Sequence, residues 1–339
     1  MRHSIFNKTA IAIGLVSAMS FSAKTFAEDT ITAVHAFNTS LIYTKSFLSF
    51  VDKLNERGKG VIQIDVKGGP EVIGLGEQPD AVRNGVVDMA YTAASFYGGT
   101  IPERDIMVAS NTNGIYARES GGIDLLNEIH QEKMGVYYLG WFDSGVSYNL
   151  YTVNEPKIGA DGKLDLEGLK LRSNAVYDAF FRSYLGAEPI SMPTTDVYAG
   201  LERNVVNATG WTQIGLKDLN WDRFLNYRIE PSFFSTDMGV IINIDAWNEL
   251  SAESKKILQA VAIEHERDSA LSLASLGDTQ KAEMVADGMK IVDLTGDVRD
   301  QFSQAAREAT WERMVSQMSR HPMGLKHYDT LVEKFNKLD

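Results

Sequence analysis

From Ser251 to about Ala286 the chain meets no proline and only one glycine, Gly277. A helix over that stretch would be roughly 50 Å long at about 1.5 Å of rise per residue, which exceeds the span of one small domain. The chain therefore has to provide two lobes for such a helix to lie across.

The shorter elements agree. Residues 31–37 read as a buried strand, and Thr39 or Ser40 can cap a following helix in which Phe47, Phe50, Val51 and Leu54 recur at helical spacing until Gly58 and Gly60 stop it. Strands at 61–66 and 86–91 then flank a Gly68-Gly-Pro-Glu71 turn and a short helix at 78–84. This β-α-β-α-β order favours helices packed on a largely parallel sheet. It restarts with strands at 137–141 and 148–152 and continues through a strand at 169–172, helices at 175–185 and 196–203, and a strand at 205–207. Residues 238–243 form a late apolar strand. The expected fold class is α/β: two lobes with mixed sheets, joined by several crossing strands and by the long helix. The expected boundaries are 28–150 for the first lobe, with 236–278 returning to it, and 151–235 for the second, with 279–339 returning. Ligands of open α/β sheets sit beyond the carboxyl ends of the strands, so the candidate loops are 37–40, 69–72, 92–97, 142–147, 172–174 and 209–212.

Arg2 and Lys8 precede an apolar run at 10–21, and Thr25-Phe26-Ala27 precedes Glu28 and Asp29, the pattern of a secretory signal peptide ending at residue 27. The run is shorter than the ~20 residues of a spanning helix, and no later segment is long and apolar enough to span. Loss of Arg2, Lys8 and Lys24 would move the formal charge from −12 to −15. An acidic chain without a Lys/Arg block does not attract nucleic acid or an anionic membrane surface, so an anionic ligand needs a local positive site. The chain has no cysteine, which removes disulfides, thiolate metal sites and a cysteine nucleophile.

Arg172 ends a short apolar strand and is followed by Ser173 and Asn174. A guanidinium there can donate two parallel hydrogen bonds to a carboxylate; an arginine in a surface or domain contact is the plainer reading. Trp211 beside Gly210 offers a flat wall and one N–H donor, with core packing as the alternative. Asn207, four residues earlier, Phe96, Tyr97, Phe142 and Phe234 are further candidates for the wall, and Glu71 could accept from a ligand hydroxyl. Catalytic signatures are thin. His265-Glu266 is followed by Arg267-Asp268 rather than completing a metalloprotease motif, and neither a nucleophile elbow nor a phosphate-binding loop is present. Among six histidines only His35 sits in a cleft-forming strand.

Segments 60–66, 81–90, 168–172, 185–189 with Met192, Asp196-Val-Tyr198, and 243–247 with Leu250, in this order and spacing, give the chain a family resemblance. It resembles the extracytoplasmic solute-binding proteins of tripartite ATP-independent periplasmic (TRAP) transporters, the C4-dicarboxylate-binding type. The resemblance implies a two-lobed periplasmic-binding-protein fold that closes over one small organic acid and delivers it to the membrane subunits of the transporter. It also implies a periplasmic protein with no catalytic role, no cofactor and no membrane insertion after signal cleavage, in which Arg172 pairs with the ligand carboxylate. The chain departs from the pattern at Asn204-Val-Val-Asn207-Ala208, where many members read Gly-Val-Val-Asp-Gly, and no second arginine follows the first crossing strand in 143–148. One cation with an aromatic wall suits a small monocarboxylate. A calcium-bridged carboxylate is a further arrangement, for which Glu71 and Asp237 could supply oxygens. Two other readings use the same cleft: a periplasmic enzyme with His35 or Glu71 as base, and a binding protein that serves a membrane sensor.

Overall fold

The computed structural model describes residues 28–335 apart from Leu166 and Ala175; the expected signal peptide, 1–27, lies outside the described residues. The strands, in chain order, are β1 (Asp29–His35), β2 (Ile62–Gly68), β3 (Met89–Ala93), β4 (Val136–Gly140), β5 (Tyr148–Thr152), β6 (Lys157–Ile158), β7 (Leu164–Asp165), β8 (Leu171–Ser173), β9 (Ile190–Ser191), β10 (Ala208–Thr212), β11 (Tyr227–Glu230), β12 (Met238–Asn243) and β13 (Lys290–Asp293). One five-stranded sheet has the order β2-β1-β3-β12-β4 and one six-stranded sheet the order β13-β11-β5-β10-β8-β9, with β6 and β7 as a separate pair.

Each large sheet is parallel except for a single strand. In the first sheet β12 runs against β3 and β4; in the second β5 runs against β10 and β11. These are the two strands the chain enters directly from a strand of the other lobe, β5 from β4 and β12 from β11. The chain leaves one sheet at its cleft edge and enters the other at the same edge, so the entering strand must run backwards. The crossing segments 141–147 and 231–237 run side by side, bridged at Ser147 and Ser235, with Thr236 N donating to Val146 O at 3.0 Å. Strands β3, β10 and β12 are buried at every residue; β12 reads as an apolar run for that reason, whereas β10, with two threonines and a glycine, does not.

The helix Ala252–Ala286 matches the breaker-free stretch and is capped by Ser251, whose side chain accepts from Ser254 N. Its buried positions Leu258, Val261, Ala262, His265, Ser269, Ala270, Leu273 and Gly277 fall on one stripe, in steps of three or four residues apart from the adjacent pairs 261–262 and 269–270. That stripe lies on the first lobe at its start. Near its end Gln280 accepts from Gly215 N at 2.9 Å, and Lys281 reaches Glu230 at 2.8 Å, both on the second lobe. Gly277 gives room there, because a Cβ would fall 2.2 Å from the side-chain nitrogen of Gln213.

Three expectations are corrected. The first helix, Ile42–Arg57, is not capped by Thr39 or Ser40: its N-cap is Leu41, and Ile42 N donates instead to Asp218 Oδ2 at 2.9 Å, across from the second lobe. The strand expected at 205–207 begins at Ala208, because Asn204 turns with φ +53° and both Val205 N and Val206 N return to Gly200 O, closing the preceding helix. The segment 279–339 does not all return to the second lobe. The helix Gly296–Arg320 packs on helix Asp105–Ala109 of the first lobe as well as on Asp178–Ser183 of the second. The helix Tyr328–Phe335 packs on the first lobe, where Phe335 joins a core containing Leu126 and Ile129.

Candidate functional site

The carboxyl ends of β1, β3, β8 and β10 meet the start of β12 between the lobes and enclose a space of about 20 Å³, enough for roughly one water. Phe37, Tyr43, Ser95, Phe96 and Met238 line it from the first lobe, and Tyr148, Asn174, Thr194 and Trp211 from the second. Outward it adjoins a wider mouth of about 300 Å³ that shares Phe37 and Thr194 and is rimmed by Asn38, Pro70, Tyr198 and Asp218. The two lobes are drawn together: Asp218 caps the helix at Ile42 and lies 3.9 Å from Lys45 Nζ.

Arg172 lies behind the wall at Thr194. It is 1% exposed. Its Nε donates to the Met192 carbonyl at 2.9 Å, Nη2 reaches Thr194 Oγ1 at 3.5 Å, and Nη1 donates to the Tyr177 hydroxyl. Tyr177 in turn donates to Gly210 O at 2.8 Å. Burial raises the pKa of the Tyr177 hydroxyl, a shift that the Arg172 charge reduces. Among the described residues no carboxylate lies within ion-pair distance of Arg172. A buried cation with only neutral acceptors carries a desolvation cost that no counter-charge offsets. Within the space, Tyr43 and Ser95 present buried hydroxyls that complete no hydrogen bond, Tyr43 approaching Thr212 and Ser95 approaching Asp237. Such groups call for a polar occupant.

The expected site residues divide. Asn174, Phe96 and Trp211 line the inner space. Trp211 supplies its ring only, since its indole N–H donates to Ile214 O at 3.1 Å. Gly210 makes room for Tyr177 rather than for a ligand, because a Cβ there would come within 3.1 Å of that ring.

The other candidates are placed elsewhere. Asn207 sits at the far end of β10, where its side chain accepts from Lys170 N at 2.7 Å and donates to Gly168 O at 3.0 Å, fastening β8. Tyr97 turns into the first-lobe core and meets His130 Nε2 at 3.1 Å. Phe142 is buried against Phe50 and His265, and Phe234 packs in the second-lobe core. Glu71 is exposed and folds back on its own turn, accepting from Gly69 N at 2.7 Å, a bond that lowers its pKa. His35 lies against Gly69 with Nδ1 2.6 Å from Phe37 O. Asp237 is buried, accepts from Ser95 N at 2.7 Å, and has its pKa raised by burial against the lowering pull of Arg104. Glu71 and Asp237 belong to no group of three close oxygen or nitrogen ligands; among the described residues the one such group is Glu128, Glu132 and His327, distant in sequence from the cleft. Phe37 and Ser95 fall in loops that the strand order had marked. Tyr43 and Thr194 escaped notice, although Tyr43 is one turn before Phe47 on the same buried stripe.

A sequence model of the family described as "Bacterial extracellular solute-binding protein, family 7" matches residues 33–317. A solute-binding protein of Albidiferax ferrireducens is 22% identical over 284 residues, 78% of this chain and 79% of that one. A monocarboxylate 2-oxoacid-binding periplasmic protein of Nostoc sp. is 22% identical over 253 residues, 69% of this chain and 64% of that one. The crystal structure of a Bordetella pertussis extracytoplasmic solute receptor binding pyroglutamic acid superposes with a TM-score of 0.75 at 17% identity, over 91% of this chain and 99% of the other. The two sheets with their paired crossings, the helix across both lobes and the match over 33–317 together place the chain in the bacterial extracellular solute-binding proteins of family 7.

Proposed function

We propose that this protein is the periplasmic receptor of a TRAP transporter, closing over a small monocarboxylate whose carboxyl group pairs with Arg172. The buried guanidinium without a carboxylate partner carries this reading. Arg172 reaches the inner space from behind Thr194; no other Lys or Arg stands in that wall, and the mouth brings only the acidic Asp218. A second carboxylate would therefore meet no cation, whereas Phe37, Tyr43, Phe96 and Trp211 suit an apolar or ring-like remainder. The names of two relatives point the same way, since 2-oxo monocarboxylates and pyroglutamic acid each carry one carboxyl group. No helix among the described residues is long and apolar enough to cross a membrane, which accords with a receptor that hands its ligand to separate membrane subunits.

Calorimetric titration with 2-oxo acids, hydroxy acids, cyclic amino acids and dicarboxylates tests the reading. A monocarboxylate should bind, and Arg172→Ala should abolish the binding; full affinity in the variant would sink the assignment. We also propose that the cleft acts without a metal and without turnover. Affinity should then be unchanged by a calcium chelator, and mass spectrometry should recover the ligand intact after prolonged incubation with the protein.

A further inference from the structure

At the bridge between the crossing segments, neighbouring residues point to opposite sides. Tyr148 and Thr236 face the cleft, and their neighbours Ser147 and Ser235 line a separate space of about 320 Å³ on the other side. The crossings also supply Gly145, Ser232, Phe233 and Phe234, and the other walls come from the 108–113 segment of the first lobe and from Ser303 and Arg307, one turn apart on the helix Gly296–Arg320. No acidic side chain lines this space, in a chain whose net charge is −12.

Arg307 is half-buried and forms no ion pair or hydrogen bond with any described residue. Six positions on, Arg313 of the same helix holds Asp105 with two bonds of 2.7 and 2.8 Å. The side-chain hydroxyls of Ser147, Ser235 and Ser303 are likewise without partners, and the bond of 2.9 Å between Ser110 and Thr112 leaves one further hydroxyl proton free. One guanidinium, several hydroxyl donors and no carboxylate form a donor set for an oxyanion.

We propose that this space is a second anion site, distinct from the cleft, which binds a small oxyanion of the carboxylate, sulfate or phosphate type through Arg307, Ser147, Ser235 and Ser303. Sulfate and inorganic phosphate serve as probes in calorimetric titrations of the full chain at constant ionic strength. Saturable binding in the millimolar range is expected, weakened at least about tenfold in Arg307→Gln through loss of the charge-assisted bonds. It should persist in Arg172→Gln and in Arg307→Lys, which keeps the charge. Circular dichroism melts confirm that each variant is folded. Absence of saturable binding to the wild type overturns the proposal, as does unchanged binding in Arg307→Gln. Loss of binding in Arg172→Gln would assign the anion to the cleft and overturn it equally.

Discussion

Arg104 and Arg172 are both almost fully buried, 2% and 1% exposed, yet they stand in opposite electrostatic situations. Arg104 Nη1 is 2.7 Å from Asp105 Oδ1 and 3.7 Å from Asp237 Oδ2, so its charge is balanced within the first lobe. Arg172 has a carbonyl and two hydroxyls, all from its own lobe and all neutral. The first arrangement is balanced in charge as folded, although Arg104 Nε and Nη1 complete no hydrogen bond. The second lacks a negative charge, which is the condition for a buried cation to select an anionic ligand. Burial alone does not separate the two arginines; the charge of their partners does, and the binding role proposed for Arg172 rests on that difference.

Exchanging the two residues' fates would break this comparison. Arg104→Ala leaves Asp105 and Asp237 without that cation, and removing one partner of a buried pair costs about 3–5 kcal/mol; denaturant unfolding should show a loss of that order. Arg172→Ala should instead cost about 2–5 kcal/mol of ligand affinity, with stability of the ligand-free protein changed by less than about 1 kcal/mol. Equal destabilisation by the two variants would mean that Arg172 is structural.

The contact between lobes gives a smaller effect. Asp218 caps a helix of the opposite lobe, and loss of a helix cap costs about 0.5–2 kcal/mol. Asp218→Ala should therefore lower ligand affinity by roughly 2- to 30-fold without touching the ligand; unchanged affinity would show that the cap is not coupled to closure.

A further effect concerns pH, and His265 offsets part of it. Asp143, at the first crossing, accepts from Ser46 Oγ at 2.6 Å and from Tyr91, and burial pushes its pKa up from 3.8 to about 6. The folded state then holds a proton that the unfolded state has released, so this carboxyl stabilises below about pH 4 and loses that contribution as pH rises to about 6. His265, 3.2 Å from the same Ser46 hydroxyl, has its pKa lowered by burial to about 4, and its slope runs the other way. The stability difference between wild type and Asp143→Asn should fall from pH 4 to pH 6 and level off above it. A flat difference in equilibrium unfolding would show that Asp143 is not raised.

Much of the frame was legible in the chain. The long helix, the strand Met238–Asn243 and the stripe Phe47, Phe50, Val51 and Leu54 follow from periodicity and from the positions of glycine and proline, which are local properties. The site was legible in part. Arg172, Asn174, Phe96 and Trp211 lie at strand ends or in the loops that follow them, which the alternation marks. Tyr97 and Phe96 are adjacent in one such loop, yet one faces the core and the other the cleft, because a short 3₁₀ turn at Ala94–Tyr97 sends successive side chains in different directions. Asn207 was misread because the strand begins one residue later and its cleft end lies at Thr212. The cap of the first helix was invisible, since its acceptor stands 176 residues away.

The sequence by itself determined that there would be two α/β lobes, a helix long enough to cross both, and an acidic, cysteine-free chain in which a single strand-end arginine could hold an anion. These follow from backbone propensity, hydrophobic period and composition, each of which acts over a few residues or over the chain as a whole. Only the tertiary structure decided that Arg104 is neutralised and Arg172 is not, that Tyr43 and Ser95 line the inner space, and that Ser147 and Ser235 turn away from the cleft to the space lined by Arg307. The physical reason is that pairing and desolvation depend on distances of a few ångströms between segments far apart in the chain.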